Sequence, residues 1–160
     1  MAKAKAKAKT VKLKSAKTDK AGAAAAIEDK CAGGVCAPYS REGVKSNPTS
    51  GTSLDLVRQE GPGVFLGGRV TKQGGDSDIT YVTLDIDGQP IVSMSFSGAA
   101  TFGLTQHNPF GVTLLRSNSG QTLAFGFPTP LMFRKGLRLN VNVQEPNVVQ
   151  IIGTAVCGKI

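Results

Sequence analysis

The chain has no tryptophan, two tyrosines, one histidine and three cysteines among its 160 residues. Each shortage removes a class of function. A histidine-based catalytic triad needs a positioned nucleophile and an orienting carboxylate. His107 instead lies in Gln106-His107-Asn108-Pro109-Phe110-Gly111, a turn-forming stretch with no nucleophile motif, and reads as a loop residue. Zinc sites need four ligands, usually in two close pairs, whereas Cys31 and Cys36 have only Cys157 as a further thiol. A small Cys31–Cys36 disulfide is the alternative to free thiols. The odd, sparse set argues against a secreted disulfide framework and for reduced thiols in a cytoplasmic setting.

No apolar run approaches the length that crosses a bilayer. The basic region followed by Ala21-Gly22-Ala23-Ala24-Ala25-Ala26-Ile27 has the order of a signal peptide. Its apolar part is short, built of alanine and ended at once by Glu28 and Asp29, so a cleaved signal is not expected. The glycine-rich stretches Gly61-Pro62-Gly63 and Gly67-Gly68 lack the Gly-Lys-Ser/Thr ending of a phosphate loop. Asp76, Asp78, Asp85 and Asp87 gather around one hairpin without the spacing of a calcium loop, and read as solvated acids. Neither metal nor cofactor nor small-molecule substrate is expected, and the chain reads as a non-enzyme.

What the sequence does have is unevenly placed charge. Of the net +8, residues 1–20 carry +7: eight lysines (Lys3, Lys5, Lys7, Lys9, Lys12, Lys14, Lys17, Lys20) against Asp19 alone. The remaining 140 residues hold eleven bases and ten acids. Lysines four apart would stack and repel on a helix, and no apolar stripe would dock it. The segment therefore reads as a disordered arm that is ordered by a polyanion or by a neighbouring subunit. Its ammonium groups suit nonspecific phosphate contacts, with a solubilising tail or an arm ordered only by neighbouring subunits as the alternative. Six such contacts would make affinity fall on the order of a thousandfold between low and moderate salt.

Residues 21–52 are small and irregular and read as a linker, with a short helix around 23–30. As flexible coil, the first fifty residues would reach about 40 Å. Residues 53–160 carry strand signals at regular spacing. The clearest is Ile79–Asp87, with Val82, Leu84 and Ile86 on one face, followed by Asp87-Gly88, the dipeptide of a tight hairpin, and a returning strand over Ile91–Phe96. Further strands are expected near 53–58, 63–72 (with a bulge at Gly67-Gly68), 112–116, 121–127, 137–143 and 148–156. About eight strands without helical crossovers predict an all-β, antiparallel, jelly-roll-like sandwich.

Phe102, Phe110, Phe127, Leu131, Met132 and Phe133 stand in or beside Gly/Pro-rich loops, where a monomer gains little from them. They are the expected subunit-contact residues, with capping of the sandwich ends as the alternative.

The Lys3–Lys20 arm, the Asp87-Gly88 hairpin, the Gly67-Gly68 interruption and the closing alternating strands together resemble the jelly-roll or β-sandwich structural proteins of viruses and bacteriophages. These are the decoration or cement, spike-base and minor capsid proteins. The resemblance implies a homo-oligomer, with a trimer as the first expectation, made in the host cytoplasm and built into a virion among other capsid subunits. The arm would either lace into neighbours or touch packaged nucleic acid. A nucleic-acid-binding architectural protein is the alternative, and a carbohydrate-binding sandwich a third.

Overall fold

The computed structural model describes residues 38–160. The expectations for the lysine arm, for a helix over 23–30 and for Cys31 and Cys36 lie outside the described residues. Ten strands form two antiparallel sheets: β1 (Tyr39–Ser46), β2 (Thr52–Glu60), β3 (Gly63–Gly74), β4 (Tyr81–Ile86), β5 (Gln89–Ser95), β6 (Val112–Ser117), β7 (Gly120–Phe125), β8 (Leu131–Phe133), β9 (Gly136–Val143) and β10 (Val148–Gly158). A six-residue helix, α1 (Phe96–Thr101), follows β5.

One sheet runs β1-β10-β3-β7-β6, with β8 also on β3, and the other runs β2-β9-β4-β5. The pairs nest along the chain: β1 with β10, β2 with β9, β3 with β7, and β4 with β5. Successive pairs alternate between the two sheets, as if one long hairpin had been rolled up. That is jelly-roll connectivity, and it confirms the all-β sandwich that strand spacing predicts.

Period-two alternation builds the core. Val82 faces Val141 and Leu84 faces Leu139 across β4 and β9, all four fully buried. Val70, Leu114, Leu123 and Ile151 fill the opposite layer. Between β4 and β5 the turn lies at Asp87-Gly88, with φ of 57° and 85°. In β3 the interruption is a bulge: Val156 opposes Gly67 and Cys157 opposes Phe65, leaving Leu66 unpaired.

Three elements correct the sequence reading. Residues 39–46 fall in the expected linker but form β1, so the folded body includes them and does not start at Ser53. Most of β1 is exposed, so it shows no apolar alternation, and its eight-residue register with β10 places it. It also packs close to β2, because a Cβ on Gly43 would stand 1.8 Å from the Leu56 carbonyl oxygen. Second, β8 is only three residues long and is held by pairing with β3. Third, the sequence Phe96-Ser97-Gly98-Ala99-Ala100-Thr101 is too short to show helical periodicity. Its helix is set by the Ser95 hydroxyl accepting from the Gly98 amide at 2.9 Å and by burial of Phe96 and Ala99.

Candidate subunit interface

On the side of the sandwich where β5 and β6 are the outermost strands, α1 and the loop over residues 102–111 span the gap between the sheets. A groove of about 590 Å³ opens there. Ile91, Val92 and Met94 of β5 form one wall, Leu104 and Val112 the floor side, and Phe102, Phe110 and Phe127 the aromatic lining. Phe102 and Phe110 are 73% and 71% exposed, which is unusual for apolar rings of this size. Phe127 is partly buried and anchored by Phe65, with ring centroids 6.4 Å apart. The loop's own bonds hold the two exposed rings out. Leu114 N–H donates to the Leu104 carbonyl at 2.7 Å, and the Asn108 side chain bonds both the Val112 carbonyl and the Phe110 amide.

Of the six contact residues expected from sequence, the fold therefore gathers three, Phe102, Phe110 and Phe127. The rest lie on β8, where alternation sorts them. Met132 points outward and is 68% exposed, Leu131 is partly buried, and Phe133 is 1% exposed. Phe133 is thus a core residue, packed against Gly63. Its burial rules it out as a subunit-contact residue. Ile91 and Met94 also line the groove without any such signal in the sequence, because they sit in an ordinary strand.

A second site lies inside the sandwich. Lys72 of β3 and Glu145, just after β9, are 1% and 0% exposed and join at 2.7 Å between Nζ and Oε1. The Lys72 ammonium also donates to Asp78 Oδ1 at 2.8 Å and stands 5.3 Å from the Phe96 ring centroid. Glu145 Oε1 accepts from the Thr80 hydroxyl at 2.7 Å and the Thr80 amide at 3.2 Å. Its Oε2 accepts from the amides of Ser77 and Asp78 at 3.0 and 2.9 Å. Burial pushes the Glu145 carboxyl up, but these donors, led by Lys72 and Thr80, outweigh it and hold the group below the usual carboxylate range. Asp78 behaves the same way, with burial outweighed by Lys72 and Gln121.

No protein-family model and no curated protein matches this chain. The functional reading therefore rests on its own residues.

The four clustered aspartates are not simply solvated acids, which corrects the sequence reading. Asp78, its side chain 26% exposed, bonds the buried Lys72, and Asp76 accepts from the Asn147 side chain at 2.7 Å. Asp85 caps the hairpin by accepting from the Gly88 amide at 2.8 Å. Asp87 takes the amides of Arg134, Lys135 and Gly136 at 2.7 to 3.0 Å, which hold its carboxyl below its ordinary range and tie the β4–β5 turn to the β8–β9 turn. His107 is exposed in the loop over residues 102–111, as expected. Burial pushes the Cys157 thiol up, away from reactivity. No helix among the described residues is long and apolar enough to cross a membrane.

Proposed function

We propose that this protein is a capsid-associated structural protein of a virion, of the decoration, cement, minor capsid or spike-base kind. It works as a homo-oligomer on or in a protein shell, without catalysis. The observation that carries the reading is the exposed Phe102–Phe110 groove beside the outermost strands of a jelly roll. A jelly roll alone serves lectins and enzymes as well as capsids, so the fold is not enough. An apolar, aromatic surface at the edge of the sandwich suits lateral contact with another subunit. Its lining offers Ser93 alone as a polar side chain, where a sugar or a metal-bound substrate needs several polar groups.

The arm supports the same reading from the other end. Residues 38–160 hold ten basic and eight acidic side chains, so the strong positive charge belongs to residues 1–20. An arm of that kind joined to β1 would serve as a lacing or phosphate-contacting segment of an assembled particle. Removing residues 1–20 should leave the circular dichroism of the body unchanged while reducing the sedimentation coefficient of the assembled species. Equal sedimentation with and without residues 1–20 would refute a role for the arm in assembly. If the full-length chain is a monomer and only it retains nucleic acid at low salt, the architectural nucleic-acid binder becomes the better reading.

A further inference from the structure

The buried cluster has more parts than an ion pair requires. Lys72 Nζ is a potential nucleophile, 2.8 Å from an oxygen of the Asp78 carboxyl. The other Asp78 oxygen, Oδ2, accepts from Gln121 Nε2 at 2.6 Å and lies 3.8 Å from an Arg116 guanidinium nitrogen. Those two groups stand where negative charge would develop if the Asp78 carbon were attacked. Glu145 Oε1 touches the same Lys72 nitrogen at 2.7 Å, the position of a general base. Nucleophile, electrophile, base and oxyanion donors thus meet in one cluster.

The surroundings restrict water. Lys72 and Glu145 are buried, and the Phe96 ring lies over the ammonium. Gly75 closes another side: with φ at 92°, its backbone comes so near that a Cβ would stand 2.5 Å from Glu145 Oε2 and 2.8 Å from Lys72 Nζ. Gln121 Oε1 is buried without a partner among the described residues, so the cluster has a spare acceptor for one water molecule. Holding two reacting groups in contact lowers the barrier to their reaction, with effective concentrations of roughly 10⁵ to 10⁸ M in well-oriented cases.

We propose that Lys72 and Asp78 condense spontaneously in the folded protein to an intramolecular isopeptide bond, with Glu145 as the proton carrier. The ammonium passes one proton to Asp78 Oδ1 along their hydrogen bond, and the freed Nζ lone pair attacks the Asp78 carboxyl carbon. Glu145 accepts a second proton from Nζ while Gln121 and Arg116 hold the negative Oδ2. Glu145 then delivers that proton to Oδ1, which departs as water as the carbonyl reforms. An ammonium and a carboxylate become an amide and one water, with no oxidant or activating group. The product keeps one Nζ–H for Glu145 and pins the Gly74-Gly75 turn that carries the chain from one sheet to the other.

The test is the intact mass of the full-length protein under denaturing conditions. The expected value is 18 Da below that of the unmodified sequence, with trypsin no longer cutting after Lys72 and fragment spectra joining Lys72 to Asp78. Asp78→Ala and Glu145→Gln should both return to their full calculated masses. An unmodified wild-type mass overturns the proposal. So does an 18 Da loss placed at Asp87-Gly88, where a cyclic imide would form, or a link from Lys72 to Glu145 instead. The wild-type mass decides the matter by itself, so the proposal stays refutable even where a variant fails to fold.

Discussion

Glu145→Ala is expected to lower the melting temperature by roughly 10–20 °C, the largest effect of any single substitution considered for this fold. The size follows from what the carboxylate holds. Its two oxygens accept from the Lys72 nitrogen, the Thr80 hydroxyl and the amides of Ser77, Asp78 and Thr80. Alanine leaves those donors without an acceptor inside the sandwich. Each buried donor left without a partner costs about 1–3 kcal/mol, whether Lys72 presents an ammonium or an isopeptide N–H, and each kcal/mol moves the midpoint of a domain this size by about 3–5 °C.

The same group sets an acid limit. Because the folded carboxyl titrates below its ordinary value of 4.5, its contribution is complete only well above that value, where the unfolded group is also ionised. It is lost as pH falls through the lower folded value. Thermal melts of wild type should therefore drop below about pH 4, while those of Glu145→Ala change less over the same window. Equal midpoints for the two proteins at pH 7 would show that the cluster does not stabilise the fold.

Joint replacement of Phe102 and Phe110 by glutamate should dissociate the proposed oligomer while leaving the melting temperature of the subunit nearly unchanged. Both rings are largely exposed, so the fold loses little when they go. Buried aromatic anchors in an interface are commonly worth 2 kcal/mol or more each. Together that is about 4 kcal/mol, or a subunit affinity about a thousandfold weaker. Met132→Glu is the control, since Met132 is equally exposed but is not part of the groove. Dissociation by Met132→Glu with no effect at Phe102 and Phe110 would place the contact on the β8 face instead. Dilution series followed by light scattering distinguish the two.

Much of the fold is legible in the sequence, for a physical reason. A strand buried on one face must alternate, and 137–143 shows its inward residues at Leu137, Leu139, Val141 and Val143 without a break. The β4–β5 hairpin is equally plain because its turn needs positive φ at Asp87 and Gly88. What escaped was held by partners instead of by pattern. β1 exposes most of its residues and exists because β10 offers it an edge, and β8 is too short for any period to appear.

The sites divide in the same way. Isolated phenylalanines in or beside loops flagged the aromatic part of the groove, but only the wound topology brings Phe127 beside Phe102 and Phe110. The buried cluster left a trace that the apolar reading passed over. Lys72 occupies the inward position two residues after Val70, and Glu145 the one two residues after Val143. A charged residue at the next step of an apolar alternation is a sign of a buried pair. Nothing in the sequence, however, joins residue 72 to residue 145 before the sheets face each other.

The central claim is that this chain is a subunit of an assembly. Its most direct test is the molar mass of the full-length protein by size-exclusion chromatography with light scattering, read at two wavelengths in low and high salt. With no tryptophan and two tyrosines, the protein absorbs so weakly that bound nucleic acid would be conspicuous. The account predicts a discrete oligomer, or larger particles, that persists in high salt. A monomer at every concentration and salt level would contradict it.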